Sequence, residues 1–120
     1  MKQFITILAL LVMNFAFAQD KNVRASLEVD GVCGMCKERI EKAAIKTKGV
    51  KSAVWSIETH ELSLIYDARK TNLDSISNNI ASVGHDTKAI KATEEAYLSV
   101  HDCCRYRDDE VQKDHEGKKN

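Results

Sequence analysis

The chain has 120 residues, with 18 basic and 18 acidic side chains and no proline. These totals combine two different parts, because 14 of the first 18 residues are apolar while the other 102 carry 17 basic and 18 acidic side chains. This length suits one small domain and excludes a large enzyme with a deep substrate cleft. The near-neutral charge provides no broad basic field for nucleic acid or anionic lipid, so neither is expected as a partner.

The first 18 residues have the pattern of a secretory signal peptide. Lys2 supplies a positive start, residues 4–17 are mostly apolar, and Ala16 and Ala18 give the small-x-small pattern that precedes cleavage. The apolar run is shorter than the roughly 20 residues of a membrane-spanning helix. We therefore expect residues 1–18 to be removed, leaving no membrane anchor. The mature chain is then secreted, into the periplasm if the cell has two membranes, where thiols oxidise unless something such as a soft metal holds them reduced.

Apolar periodicity predicts the first half of the mature chain as strand, helix and hairpin. Alternating residues predict a strand over residues 23–30, and a helical stripe follows over residues 37–47, with Gly49 as its cap. Two further alternating runs, at residues 53–57 and 62–66, flank a polar turn and predict a β-hairpin.

The sequence of the second half of the domain predicts another helix and a last strand. Thr71 and Asp74 resemble a capping box, the apolar stripe that follows predicts a helix ending at Gly84, and residues 87–90 are predicted as a strand. The order β-α-β-β-α-β predicts an α+β fold, the ferredoxin-like sandwich in which two helices cover one face of an antiparallel sheet.

We expect four regions in the chain: the signal peptide, a domain over residues 23–92, an extension over residues 93–107 and a polar tail over residues 108–120. The tail is rich in charge and poor in apolar residues, which predicts disorder. If residues 96–106 formed one helix, an apolar and cysteine-bearing side would result, with the residues Tyr97, Val100, His101 and Cys104.

A Cys-x-x-Cys motif, Cys33-Gly34-Met35-Cys36, lies between the first predicted strand and helix. Two intervening residues allow both sulfurs to reach one ion, and a helix N-terminus favours the thiolate form. Lys37 and Arg39 add positive charge that also favours thiolate and could attract an acidic partner. Two exposed thiolates suit a soft ion of low coordination number such as Cu(I), whereas Zn(II) usually needs four ligands.

The sequence around this motif, VDGVCGMCKERIEKA at residues 29–43, resembles the heavy-metal-associated domain family. That family includes copper chaperones, the soft-metal modules of P-type ATPases and the periplasmic mercury-binding protein. The resemblance implies that Cys33 and Cys36 are the metal ligands and that Ile40 is the family's apolar residue four positions after the second cysteine. The loop is one residue shorter than the usual family motif, so Val32 stands roughly where a buried methionine would be.

Four further residues are candidate metal ligands. The resemblance places His85 in the loop that tunes the metal site, where it would be a third ligand, a hydrogen-bond donor to the thiolates, or a histidine that merely closes the loop. His101, Cys103 and Cys104 lie outside the usual domain. They could complete the Cys33 and Cys36 site, form a second metal site, contribute to disulfides or remain reduced and uninvolved. His60 and His115 are expected to be solvated.

The leading hypothesis is an exported, monomeric and non-enzymatic protein that binds Cu(I), with Zn(II) or Hg(II) as other possible ions. It would pass the ion to a metal-transporting ATPase or another metal-binding protein by ligand exchange. A thiol-disulfide oxidoreductase is an alternative, but thioredoxin-like enzymes place a cis-proline beside the active disulfide and this chain has no proline. A closed Zn(II), Cd(II) or Hg(II) scavenger or sensor, using His101, Cys103 and Cys104, is a third hypothesis.

Overall fold

The structure is a computed structural model that describes residues 20–116. The predicted signal peptide therefore lies outside the described residues. Within the described part, no helix combines the length and the apolar character needed to cross a membrane.

Three antiparallel strands form the sheet, in the order β1-β3-β2. Their bounds are Val23–Glu28 for β1, Val50–Trp55 for β2 and Glu61–Tyr66 for β3. Strand β3 is central, because Leu62 pairs with Leu27 on β1 and with Trp55 on β2. The alternation of apolar and polar residues produces this register, since it places one apolar set on the inner face.

Two helices cover the inner face of the sheet. Helix α1 spans Gly34–Lys46 and helix α2 spans Leu73–Ser82. Their apolar stripes pack with the inner residues of the strands in one core, which includes Ile40 from α1 and Ile76 and Ile80 from α2. This arrangement confirms the predicted α+β class.

The N-terminus of α2 differs in detail from the prediction. Asn72, rather than Thr71, is the N-cap residue, and its side-chain oxygen accepts a hydrogen bond from the Ser75 N–H over 2.9 Å. Asparagine is among the strongest N-cap residues, so it takes the place of the predicted Thr71 and Asp74 box.

The last predicted strand, residues 87–90, is not a strand in the structure. Thr87 forms a single antiparallel bridge with Val29 at the end of β1. The chain then turns, because the Thr87 N–H donates to the Ile90 carbonyl over 2.8 Å and the Ile90 N–H donates to the Thr87 hydroxyl over 3.0 Å. These local hydrogen bonds replace those that a longer strand would make with β1.

The extension forms two short helical segments rather than one helix. Helix α3 spans Glu94–Leu98, and a single turn of 3₁₀ helix spans Asp102–Cys104. A further helix, α4, spans Asp109–Glu116, where the polar composition predicted disorder. The Asp108 carboxylate accepts a hydrogen bond from the Glu110 N–H over 3.0 Å, which satisfies one of the donors at the start of α4.

Candidate metal centre

The Cys-x-x-Cys motif lies at the N-terminus of α1. Cys33 is the N-cap residue and Cys36 lies in the first turn, and their sulfurs are 3.3 Å apart. Cys36 is fully buried, whereas Cys33 is partly exposed. The helix N-terminus and the convergence of two sulfurs are the features that the sequence predicted for these residues.

Tight packing behind the motif fixes the loop. A Cβ atom on Gly31 would lie 3.0 Å from the Trp55 ring and 3.1 Å from the Cys36 Cβ, so a larger residue would displace one of them. The Trp55 ring is itself fixed, because its Nε1–H donates to the Val29 carbonyl over 3.0 Å. Val32, which precedes the motif, is partly buried and packs against the core.

The extension places two more cysteines beside this motif. The Cys104 sulfur lies 2.8 Å from that of Cys33, and the Cys103 sulfur lies 3.9 Å from that of Cys104. The sulfurs of Cys33, Cys103 and Cys104 all lie within 4.8 Å of one another. Cys103 also contacts the Met35 thioether over 3.6 Å. The structure thus brings the motif and the extension together through close contacts between their sulfur atoms.

Tyr106 and Arg107 anchor the extension to the loop that follows α2. The buried Tyr106 hydroxyl donates to the Gly84 carbonyl over 2.7 Å and accepts from the Asp86 N–H over 2.8 Å. The Arg107 guanidinium donates to both oxygens of the Asp86 carboxylate, over 3.1 and 2.6 Å, and to the Ala92 carbonyl over 2.9 Å. Such bidentate pairing fixes orientation as well as position.

Apolar packing adds to this attachment. Val100 and Cys104 belong to the same core as the sheet and the two long helices. A Cβ atom on Gly84 would lie 2.6 Å from the Ala96 carbonyl oxygen and 2.7 Å from the Val100 side chain. The extension is thus packed directly on the backbone of Gly84, where only glycine leaves enough room.

His85 is a buried structural residue in this arrangement. Its side chain is fully buried, its Nδ1 lies 2.8 Å from the Asp30 carbonyl oxygen, and its Nε2 lies 3.5 Å from an Arg39 Nη1 donor. These contacts favour the tautomer protonated at Nδ1. Burial lowers the pKa of His85 to about 4, and its ring stacks on Tyr106 with centroids 5.3 Å apart. Its position therefore matches the loop-closing alternative.

The other histidines also lie outside the three-sulfur group that the described residues form. His101 is exposed and precedes the 3₁₀ turn, where its carbonyl accepts from the Cys104 N–H over 2.8 Å. His60 stacks on Trp55 in the hairpin turn, with ring centroids 5.6 Å apart. The side chain of His115 lies outside the described residues.

The thiols differ in acidity because their surroundings differ. Burial raises the pKa of Cys33, but hydrogen bonds from the Cys104 thiol and from backbone N–H groups outweigh burial and lower it overall. Burial raises the pKa of Cys36, and burial together with donation to Cys33 and Cys36 raises that of Cys104. Among Cys33, Cys36 and Cys104, Cys33 is therefore the thiol that ionises first.

Lys37 contributes to the structure of the site rather than standing free to attract a partner. Its Nζ donates to the Glu41 carboxylate and to the Trp55 carbonyl, each over 2.8 Å. The same carboxylate accepts from the Trp55 N–H over 2.9 Å. These contacts connect the first two turns of α1 to the end of β2, and so hold the helix that carries Cys36.

Helical spacing in the sequence placed Tyr97 on an apolar side of the extension, but sequence reasoning missed the anchoring residues Tyr106 and Arg107. The Arg107 guanidinium lies 4.4 Å from the centre of the Tyr97 ring, and the Tyr97 hydroxyl accepts from the Arg107 N–H over 3.2 Å. The two tyrosines of the extension were the available signal, because aromatic side chains bury a large apolar area when they pack.

The chain matches the model of the "Heavy-metal-associated domain" family over residues 26–86. It is 34% identical over 61 residues to a copper chaperone CopZ of Staphylococcus aureus, a match that covers 50% of this chain and 90% of the relative. It is 32% identical over 73 residues to a copper-exporting P-type ATPase of Staphylococcus haemolyticus, covering 60% of this chain. The match spans only 9% of that ATPase.

The fold is also similar to that of proteins with solved structures. A CopZ metallochaperone has a TM-score of 0.53 and 32% identity, with 54% of this chain and 98% of that chain covered. Oxidised MerP from Ralstonia metallidurans CH34 has a TM-score of 0.54 and 25% identity, with 56% and 94% covered. These neighbours confirm the predicted ferredoxin-like fold, and the family match stops short of the extension that begins at residue 93. By its sequence and its fold, this chain belongs to the heavy-metal-associated domain family.

Proposed function

We propose that this protein binds Cu(I) through Cys33 and Cys36 and passes the ion to another metal-binding protein. The observation that carries the proposal is the 3.3 Å separation of the two sulfurs at the N-terminus of α1. Thiolates are soft ligands, and a pair of them suits Cu(I). The relatives named copper chaperone and copper-exporting ATPase favour Cu(I) over Zn(II) and Hg(II).

Transfer would proceed by ligand exchange. Cys33 is partly exposed and has the lowered pKa, so it holds the ion at the surface while an incoming thiolate approaches. One copper–sulfur bond to this protein breaks as one to the partner forms, and the ion remains Cu(I) throughout. The partner we propose is the soluble metal-binding region of a copper-transporting ATPase, because a copper-exporting P-type ATPase is 32% identical to this chain over 73 residues.

Competition with a Cu(I) chelator under anaerobic, reducing conditions tests the binding. The full chain should hold Cu(I) tightly, and the double variant Cys33→Ser, Cys36→Ser should lose that tight binding because both ligands of the motif are absent. The matched control Ser26→Ala, on β1, should bind as the unaltered chain does. Full affinity in the double variant would overturn the proposal.

A transfer assay tests the second half of the proposal. Copper-loaded protein is mixed with a metal-free ATPase domain, the two are separated, and copper is measured in each. We expect copper to equilibrate between them faster than it is released to a chelator of equal strength. Release to solution as a necessary first step would show that the protein stores copper rather than delivering it.

We further propose that residues 1–18 direct export and that the protein works outside the cytoplasm. Mass spectrometry of the chain isolated from the periplasm of an expressing two-membrane bacterium should find an N-terminus at Gln19. An N-terminus at Met1 in the cytoplasmic fraction would contradict this proposal. It would leave the metal chemistry of Cys33 and Cys36 unaffected.

We expect no catalysis of thiol-disulfide exchange. The chain has no proline and so no cis-proline beside the cysteines. Insulin reduction by the full chain should be no faster than by the variant without Cys33 and Cys36. Turnover well above that control would revive the oxidoreductase alternative.

A further inference from the structure

We propose that Cys33, Cys103 and Cys104 form a three-sulfur site for the same soft ion, and that this site takes the ion over from the Cys33 and Cys36 pair. The inference rests on the proposed function, because it concerns where Cu(I) goes after it has bound. Cys33 would belong to both ligand sets, and the extension would supply the two ligands that the family's motif lacks.

The distances between the sulfurs are the first argument for a three-sulfur site. The sulfurs of Cys33, Cys103 and Cys104 all lie within 4.8 Å of one another. Metal–sulfur bonds of about 2.3 Å place three sulfurs around one ion about 4 Å apart. The 3.9 Å between Cys103 and Cys104 already fits this geometry, and the 2.8 Å between Cys33 and Cys104 needs only a modest widening. The three sulfurs are therefore close to the separations that one shared ion requires.

The firm attachment of the extension to the domain is the second argument for this site. A ligand set built from distant parts of a chain is useful only if both parts are held in place. Tyr106 and Arg107 hold the extension on the C-terminal side of the two cysteines, and Val100 packs into the core on the other side. Between them, the 3₁₀ turn fixes Cys104 through its N–H bond to the His101 carbonyl. The thiols are thus presented to Cys33 by a fixed backbone.

Burial is the third argument, because the four thiols differ in their exposure to solvent. Cys36 and Cys104 are fully buried, Cys33 is partly exposed and Cys103 is exposed. An ion at Cys33 and Cys36 would have one partly exposed and one buried ligand, whereas an ion at Cys33, Cys103 and Cys104 would also have an exposed one. The shared ligand Cys33 allows the ion to move between them without being released.

The exchange step balances as follows. The bond from copper to Cys36 breaks, and bonds to Cys103 and Cys104 form, while the bond to Cys33 persists and copper remains Cu(I). The two incoming thiols lose two protons, one proton returns to Cys36, and one is released to water. A three-coordinate ion leaves less room for an incoming ligand, so the extension slows release relative to a bare Cys-x-x-Cys site.

X-ray absorption of the full chain loaded with Cu(I) alone tests the inference. All four thiols are first confirmed as reduced by mass spectrometry. We expect three sulfurs around copper in the unaltered chain and also in Cys36→Ser. We expect two sulfurs in Cys103→Ser and in Cys104→Ser. The matched variant Met35→Leu should retain three, since the Met35 thioether only contacts Cys103.

Affinity provides a second readout. Cys104→Ser should weaken Cu(I) binding at least roughly tenfold, the lower end of the loss seen even when a partner of a metal ligand is removed. Circular dichroism establishes that each variant is folded. If Cys104→Ser does not fold, the number of sulfurs around copper in three other proteins still tests the three-sulfur site. These are the unaltered chain, Cys36→Ser, and Cys103→Ser, which changes an exposed residue.

Three results would overturn the inference. They are two sulfurs in the unaltered chain, a count that falls to two in Cys36→Ser, and a count that stays at three in Cys103→Ser. None of these would overturn the proposed function. That proposal fails instead if the unaltered chain does not bind Cu(I) tightly, or if the double variant Cys33→Ser, Cys36→Ser still binds it tightly.

Discussion

The Tyr106 hydroxyl donates a hydrogen bond to the Gly84 carbonyl over 2.7 Å, across 22 positions of the chain. The same hydroxyl accepts from the Asp86 N–H over 2.8 Å, so one buried oxygen satisfies two backbone groups of the loop after α2. Cys104 lies two residues before Tyr106. This contact therefore links the stability of the loop to the position of the thiol beside Cys33.

Replacing Tyr106 with phenylalanine should both destabilise the protein and loosen the extension. The change keeps the ring but leaves a buried carbonyl and a buried N–H without their partner, at a cost of about 1–3 kcal/mol in the free energy of unfolding. Urea unfolding measures this loss. The rate at which iodoacetamide labels Cys104 should also rise, because the buried thiol becomes accessible more often.

Tyr66→Phe is the matched control for this experiment, since it makes the same chemical change on β3, where Tyr66 pairs with Val23 at the far end of β1. It should leave the labelling rate of Cys104 unchanged. An unchanged labelling rate in Tyr106→Phe would show that the extension does not depend on this hydrogen bond.

Alanine at Gly84 should be much worse tolerated than alanine at Gly34. Gly84 has a positive φ of 103°, and a Cβ there would lie 2.6 Å from the Ala96 carbonyl oxygen. Gly34 has nothing within 4 Å of an added Cβ. We expect Gly84→Ala to lower the free energy of unfolding by about 2 kcal/mol or more, through backbone strain and displacement of the extension.

Urea unfolding of both variants checks this comparison. Gly34→Ala lies in the first turn of α1 and should change stability by less than about 1 kcal/mol, because alanine is the better helix former. Equal stability of the two alanine variants would contradict the close packing of the extension on Gly84.

Replacing Arg107 with lysine should weaken the anchor, although it preserves the charge. Lysine cannot form the bidentate pair with Asp86 or reach the Ala92 carbonyl in the same geometry. Arg107 is about one-third exposed, and solvent screening limits the expected loss to about 1–2 kcal/mol. Arg24→Lys, on the exposed side of β1, is the control. A loss no greater than that of this control would mean that the anchor depends on charge alone.

The main helices and strands of the domain were predictable because each one buries a single face, which leaves a periodic apolar pattern in the sequence. Alternating residues in β1 and β3, and the apolar stripe of α2, all place their apolar side chains in the one core. The predicted last strand failed because Thr87 has a competing local partner. Its backbone and hydroxyl bond to Ile90, and nothing in the apolar pattern of residues 87–90 distinguishes a strand from such a turn.

The candidate site was predictable only in part, for a different reason. The spacing of Cys33 and Cys36 fixes their proximity within one helical turn, so local sequence was sufficient. The approach of Cys104 depends on contacts of Tyr106 and Arg107 with residues about 20 positions earlier in the chain. Such contacts leave no periodic signal, and the sequence could offer only alternatives for Cys103 and Cys104.

The stability of the protein should fall as the pH is lowered from 6.5 towards 4, because of His85. Burial lowers the pKa of this side chain from 6.5 to about 4, so it is neutral in the folded protein at neutral pH. Below pH 6.5 the unfolded chain takes up a proton that the folded chain does not. The stabilisation is therefore complete above pH 6.5 and is lost as the pH falls to about 4, a change of about 3 kcal/mol.

Neighbouring carboxyl groups titrate differently. Burial and the Asp86 carboxylate raise the pKa of Asp30, so protonation of Asp30 at low pH stabilises the fold and opposes the effect of His85. Burial raises the pKa of Asp86, but hydrogen bonds from Arg107 and Ala92 outweigh it and lower the pKa overall. The contribution of Asp86 is lost only as the pH falls below the ordinary range of a carboxyl group.

A comparison of variants separates these effects. His85→Asn keeps a donor for the Asp30 carbonyl and removes the titrating ring, so its free energy of unfolding should be lower at pH 7 and should vary less between pH 6.5 and 4. Urea unfolding of both proteins at several pH values measures this difference. The same pH dependence in His85→Asn and the unaltered chain would mean that His85 has the same pKa in the folded and the unfolded chain, and hence that its burial between Asp30 and Tyr106 does not keep it neutral.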